Sequence, residues 1–125
     1  MMENNFSIII STCDKFSDLW DAHILLLNQN WADRNVETFL VTDKPTDRTF
    51  ENVTVVAAGE GTEITERLRA VMPLIKTEYV LFTLDDYFLT ERISTQAVNE
   101  DTQIMEKHQI DYLRLFVMTM KSLRN

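Results

Sequence analysis

Apolar residues along the chain fall into two alternating patterns, short unbroken runs and stripes of helical spacing. "FSIII" (6–10) is a β-branched run that suits a first strand buried on both faces. After the polar "STCDKFSD", Trp20, Ile24, Leu27 and Trp31 recur at i, i+4, i+7 and i+11, one helical stripe. Ser17 or Asp14 is available to cap that helix. "VETFLVTD" (36–43) reads as a second strand ending in Asp43, and "KPTDRTFEN" as a turn-rich connection marked by Pro45 and Asp47. "VTVVAA" (53–58) is a third strand. Thr62 then offers an N-cap, with Glu63 favourable to the dipole of a helix striped by Ile64, Leu68, Val71 and Ile75. Pro73 inside that pattern predicts a kink or a new turn. "YVLFTLDDYFL" (79–89) is the clearest strand. A third helix is expected from about Ser94 to His108, on a weaker stripe of Val98, Ile104 and Met105. "DYLRLFVM" (111–118) reads as a fifth strand.

Strands that alternate with helical patterns predict an α/β domain with a mainly parallel sheet and right-handed crossovers. Open sheets of this kind bind ligands outside the carboxyl ends of their strands. That rule selects Ser11, Thr12 and Asp14, then Asp43, then Gly59 to Thr62, and finally Asp85 with Asp86.

The adjacent carboxylates close a nearly unbroken apolar run, and two readings of them stand. Asp favours turns because it bonds nearby backbone amides. Alternatively, the pair serves a hard cation such as Mg²⁺, which one or two carboxylates plus substrate phosphates usually hold. In a regular strand the two side chains point to opposite faces. On the second reading the pair would therefore divide its labour, one carboxylate on a metal and the other on a neighbouring group such as a ribose hydroxyl.

Composition narrows the classes. The 125 residues fit one domain, and 45% apolar content is enough for a core. A net charge of −8 disfavours nucleic acid as a partner, but not a nucleotide whose phosphates meet a metal and one or two cations. The single cysteine, Cys13, excludes an internal disulfide and a Cys-based metal site, so a reducing, cytoplasmic setting is the simplest expectation. No run approaches the roughly 18 apolar residues of a spanning helix, and no secretory signal is expected at the N-terminus.

With these elements in order, the chain resembles the N-terminal, nucleotide-sugar-binding half of GT-A-fold glycosyltransferases, in the broad inverting group that makes bacterial polysaccharides. The residues that carry the resemblance are "STCDK", "VTD" and above all "TEYVLFTLDDYF", within a match over about residues 6 to 115. It implies a three-layer Rossmann-like GT-A fold. It also implies a nucleotide-diphosphate sugar donor, an acceptor hydroxyl, and Mn²⁺ or Mg²⁺ at the family's DXD position. Ser11 and Thr12 would then contact base or ribose. Asp14 stands where the family often has Asn, and Lys15 matches its following Lys. Asp43 would read the base, and Arg69, or Arg67 in a shifted alignment, would approach the diphosphate. Asp86 would ligate the metal and Asp85 the donor, while Leu84 replaces the motif's first Asp. The family's domain is longer and carries its catalytic base in the second half. This implies a truncated or reduced relative, possible self-association, and a location at the inner face of the membrane if it serves polysaccharide synthesis.

Plainer roles exist for each of these residues. Lys15 is an ordinary loop lysine, Asp43 starts a turn before Pro45, and Arg67 and Arg69 follow Glu63 and Glu66 at ion-pair spacings. Trp20 and Trp31 read as core, His23 as packed beside the first stripe, His108 as a helix-end residue, and Cys13 as a small buried side chain. Tyr87 and Phe88 either pack under the next helix or line the site floor. The functional alternatives are a nucleotidyltransferase, whose glycine-rich first loop is missing from "STCDKF", and a non-catalytic nucleotide-binding or interaction domain.

Overall fold

The structure, a computed structural model, describes residues 4–113. Four strands, β1 (Phe6–Ser11), β2 (Thr38–Thr42), β3 (Thr54–Ala57) and β4 (Tyr79–Leu84), form one all-parallel sheet in the order β3-β2-β1-β4. The helices are α1 (Trp20–Asn30), α2 (Ile64–Val71) and α3 (Thr95–Lys107). The expected α/β architecture with a parallel sheet is present, and it is compatible with a Rossmann-like fold. Most of the fifth strand expected at 111–118 lies outside the described residues.

β1 and β2 are buried along their whole length, as their unbroken apolar runs require. Phe6, Ile8 and Ile10 of β1 and Leu40 of β2 pack with Trp20, Ile24, Leu27 and Trp31 and with Val98 of α3. The other face of the sheet packs Ile9, Phe39 and Val41 against Val71 of α2. The domain thus has three layers, with α1 and α3 on one side and α2 on the other. Each fully buried side chain of this kind contributes about 1.5–3 kcal/mol.

The connection from β2 to β3 carries no helix. Arg48 fills part of that space, stacking 5.0 Å from the Trp20 ring and 5.3 Å from that of Phe50. It also donates to the Ser17 carbonyl (2.7 Å) and pairs with Asp21 (3.0 Å).

Several boundaries differ from the sequence reading. Neither Ser17 nor Asp14 caps α1: a 3-10 turn, Asp14–Leu19, runs straight into it. The N-cap of α2 is Glu63 rather than Thr62. Gly59 (φ 127°) and Gly61 (φ 81°) shape a turn in which the Thr62 hydroxyl donates to the Gly59 carbonyl (2.6 Å). Glu63 and Glu66 then form a reciprocal capping box. Pro73 ends α2 at Val71 and begins a 3-10 turn, Met72–Leu74. The stripe of α2 is also shorter than expected, because Ile64 is 46% exposed. α3 starts after Ser94, whose hydroxyl accepts from the Ala97 N–H (3.1 Å), and ends at His108. On its stripe Val98 is buried, but Ile104 is exposed, and Thr95, Asn99 and Thr102 are the other buried positions.

The largest difference concerns β4. It ends at Leu84, just before the aspartate pair as expected, but among the described residues it is the edge strand, not a buried one. Val80 and Phe82 are 36% and 43% exposed.

Candidate functional site

The sheet order places the topological switch between β1 and β4. The chain leaves β1 toward β2 on one side, and β4 returns on the other. The crevice between their carboxyl ends is where folds of this type bind ligands. Ser11 and Thr12 lie on one side of it, and Asp85 and Asp86 on the other. The Asp85 N–H donates to the Ser11 carbonyl (3.1 Å), extending the β1–β4 ladder to the carboxylate pair.

A chain of short hydrogen bonds holds Asp85. Trp20, buried at the start of α1, donates its indole N–H to the Thr12 hydroxyl (2.7 Å), which donates in turn to Asp85 Oδ2 (2.6 Å). His23, one turn along α1 and 3% exposed, sits with Nδ1 3.2 Å from the Asp85 carbonyl and packs its ring against Phe88. Burial lowers the His23 pKa below 6.5, outweighing the hydrogen bond to Asp85 and the charges of Asp85 and Asp86, which raise it. A neutral imidazole thus lies under the turn.

Asp86 differs from its neighbour. It follows β4 in a turn closed by the Tyr87 N–H to the Leu84 carbonyl (3.1 Å), it is exposed, and its carboxylate accepts no hydrogen bond among the described residues. The backbone turn thus needs no carboxylate from Asp86, while Asp85 is tied into the core. Among the described residues neither carboxylate accepts a backbone N–H of the turn: Asp85 is tied to the Thr12 hydroxyl and Asp86 is open to solvent.

Asp43 lies at the end of β2. Its Oδ1 accepts the N–H groups of Asp14 (2.8 Å) and Lys44 (2.8 Å) and the Thr42 hydroxyl (3.3 Å). Burial raises its pKa, but these donors outweigh that effect and hold it below the ordinary value of 3.8. Among the described residues, Oδ2 accepts no hydrogen bond. One oxygen is thus committed to the loops and the other is open.

The same bond ties Asp14 to the end of β2. The Asp14 carboxylate lies 4.0 Å from Lys44 Nζ, which is 3.9 Å from Glu60, a surface network of small energetic weight. Lys15 is exposed and lies over its neighbour Phe16 (5.7 Å). The Ser11 hydroxyl is buried without a hydrogen-bond partner.

The two helix arginines separate. Arg67 donates Nη1 to the Thr62 carbonyl at the start of α2, on the carboxyl side of the sheet, and its Nε is buried without a partner. Arg69 is exposed in the last turn, toward the opposite edge. Neither forms the ion pair with Glu63 or Glu66 that its spacing allowed, because those two glutamates cap the helix instead.

The tethers of Asp85 through Trp20 and His23 were not visible as site features in the sequence. The stripe identified both residues only as packed side chains, and Asp85, on which both tethers converge, lies 73 residues from Thr12 and 62 from His23. Among the described residues, no three His, Cys, Asp or Glu side chains converge to cage a metal. No helix among them is long and apolar enough to cross a membrane. No family model, curated protein or solved structure matches the chain.

Proposed function

We propose that this chain binds a nucleotide-diphosphate sugar across the β1–β4 crevice, as the donor-binding domain of a GT-A-type glycosyltransferase in cell-surface polysaccharide synthesis. The observation that carries this reading is the contrast within the carboxylate pair. Asp85 is fastened to the core by Thr12, and Asp86 is free at the switch point.

Mg²⁺ or Mn²⁺ fits this arrangement better than a caged metal would. A hard cation of this kind keeps several waters and takes one or two carboxylates plus substrate phosphates. Asp86 would hold it, and the ion would neutralise charge on the departing diphosphate. Asp43 Oδ2 would accept from the base, the Ser11 and Thr12 edge would face the ribose, and Arg67, better placed than Arg69, would approach the phosphates. The resemblance of "TEYVLFTLDDYF" to the donor-binding strand of that family supports the same assignment.

Calorimetric titration with UDP and other nucleoside diphosphates, with and without Mn²⁺, tests it. The expected result is metal-dependent binding that Asp86→Asn abolishes while leaving the unfolding midpoint unchanged. Binding that survives Asp86→Asn sinks the metal assignment. Absence of any nucleotide binding favours a non-catalytic interaction domain.

A further inference from the structure

The Ser11 hydroxyl and the Arg67 Nε–H are each buried without a hydrogen-bond partner among the described residues. The fold brings the two together. Side chains alternate along β1, so Ser11 shares the α2 face of the sheet with Ile9, which packs against Val71. α2 starts beyond the carboxyl end of β3 and ends before the amino end of β4, so it runs antiparallel to the strands. Arg67 precedes Val71 by one turn on the same helix face, about 6 Å nearer the carboxyl ends of the strands. Ser11 lies about 7 Å beyond Ile9 in that same direction. Arg67 therefore stands over Ser11 as Val71 stands over Ile9.

Neither neighbour of Ser11 in the sheet offers a polar side chain on that face. Val41 and Leu84 stand beside it in register on β2 and β4. Above, Arg67 is held by its Nη1, which donates to the Thr62 carbonyl (2.5 Å), and this leaves the Nε–H to find another acceptor. Serine is also short. Where Ile9 fills the layer beneath α2 with its own carbons, Ser11, 3% exposed, leaves room between its hydroxyl and the helix. A hydroxyl and an N–H left unpaired in such a place are costly, and native proteins rarely keep them so.

We propose that Ser11 and Arg67 form a buried solvent site, in which one ordered water accepts from the Arg67 Nε–H and bonds the Ser11 hydroxyl, pinning the start of α2 to the end of β1. The Arg67 Nε–H can only donate, whereas the serine hydroxyl donates or accepts, so a single water satisfies both groups. An anion is a poorer occupant. Glu60, Glu63 and Glu66 stand in and just before the first turn of the same helix, and the chain carries a net charge of −8. The consequence reaches the rim of the sheet. The Gly59–Thr62 turn leads directly into α2, and its Gly59 N–H donates to the Asp43 carbonyl (2.8 Å). The water thus positions the turn beside Asp43 without touching a ligand, and the inference does not rest on the donor reading.

A crystal structure of the full chain that shows ordered solvent tests it, together with urea unfolding of two variants. The expected result is one water within about 3 Å of both Ser11 Oγ and Arg67 Nε. Ser11→Ala deletes one of the water's partners and should raise the unfolding equilibrium constant about fivefold or more. Arg67→Lys keeps the charge but has no Nε–H, and combined with Ser11→Ala it should depart from additivity by more than about twofold. A direct bond between Ser11 and Arg67, an anion between them, or no atom between them overturns the proposal. So does a Ser11→Ala chain as stable as the unmodified one or more so, because removing a hydroxyl that bonds nothing costs nothing. Additivity of the two changes to within about twofold overturns it as well.

Discussion

Replacing Thr12 by Val removes a hydroxyl and leaves the side-chain shape nearly unchanged, so the cost reports hydrogen bonding rather than a cavity. Thr12 is 2% exposed, and its hydroxyl accepts from Trp20 and lies closer to the Asp85 carboxylate (2.6 Å) than to the Cys13 carbonyl (3.4 Å). The bond to the Asp85 carboxylate is charge-assisted, worth about 1.5–3 kcal/mol, and the low end applies because Asp85 is half-exposed and water substitutes in part. The Trp20 indole N–H, in a residue 1% exposed, is left without an acceptor, at about 1–3 kcal/mol. A total of about 3 kcal/mol is expected, a large share of the 5–15 kcal/mol typical of a domain. With a urea slope of about 1–3 kcal/mol/M, the midpoint falls by about 1–3 M. Urea unfolding followed by tryptophan fluorescence and circular dichroism measures it. Asp85→Ala and the double variant complete a cycle, with an expected coupling of about 1 kcal/mol or more. A coupling below about 0.3 kcal/mol, within the scatter of additive sites, would refute the claim that Thr12 tethers Asp85.

Two further outcomes follow from the same geometry. His23 has a folded pKa below the 6.5 of the unfolded chain, so its contribution to stability is full above that pH and is lost as pH falls through the folded value. Titration by nuclear magnetic resonance should place its midpoint below 6.5, and His23→Leu should flatten the stability profile in that window. Ser94→Ala deletes the hydroxyl that accepts the Ala97 N–H at the start of α3, and should cost about 1 kcal/mol in the same urea assay, whereas Ser94→Asp should cost little.

Much of the candidate site was legible because strand ends are set by local sequence. "FSIII" followed by "ST" locates the end of β1, and "LFTL" followed by "DD" locates the end of β4. The sheet order 3-2-1-4 then makes those two ends neighbours. How each carboxylate is held there was not legible. Asp85 and Asp86 are the same residue type in adjacent positions, and only the approach of Thr12, Trp20 and His23 distinguishes them. The positions of Arg67 and Arg69 had the same character: spacing left them alike, and only the structure puts Arg67 against the start of α2 and leaves Arg69 exposed in its last turn.

The sequence by itself determined the kinds and order of the elements. Those follow from the period of apolar residues and from local stops such as Ser94 before α3 and Pro73 after α2, all acting within a few residues. Tertiary structure alone decided exposure and pairing. An apolar run such as "YVLFTL" suits a central strand and an edge strand equally well, because the hydrophobic pattern records what a side chain prefers and not how many neighbours the sheet supplies. Among the described residues, β4 falls at the edge because β2 and β3 build outward from the other side of β1. That arrangement depends on crossovers between distant segments, and it also leaves Asp86 open to solvent at the switch point.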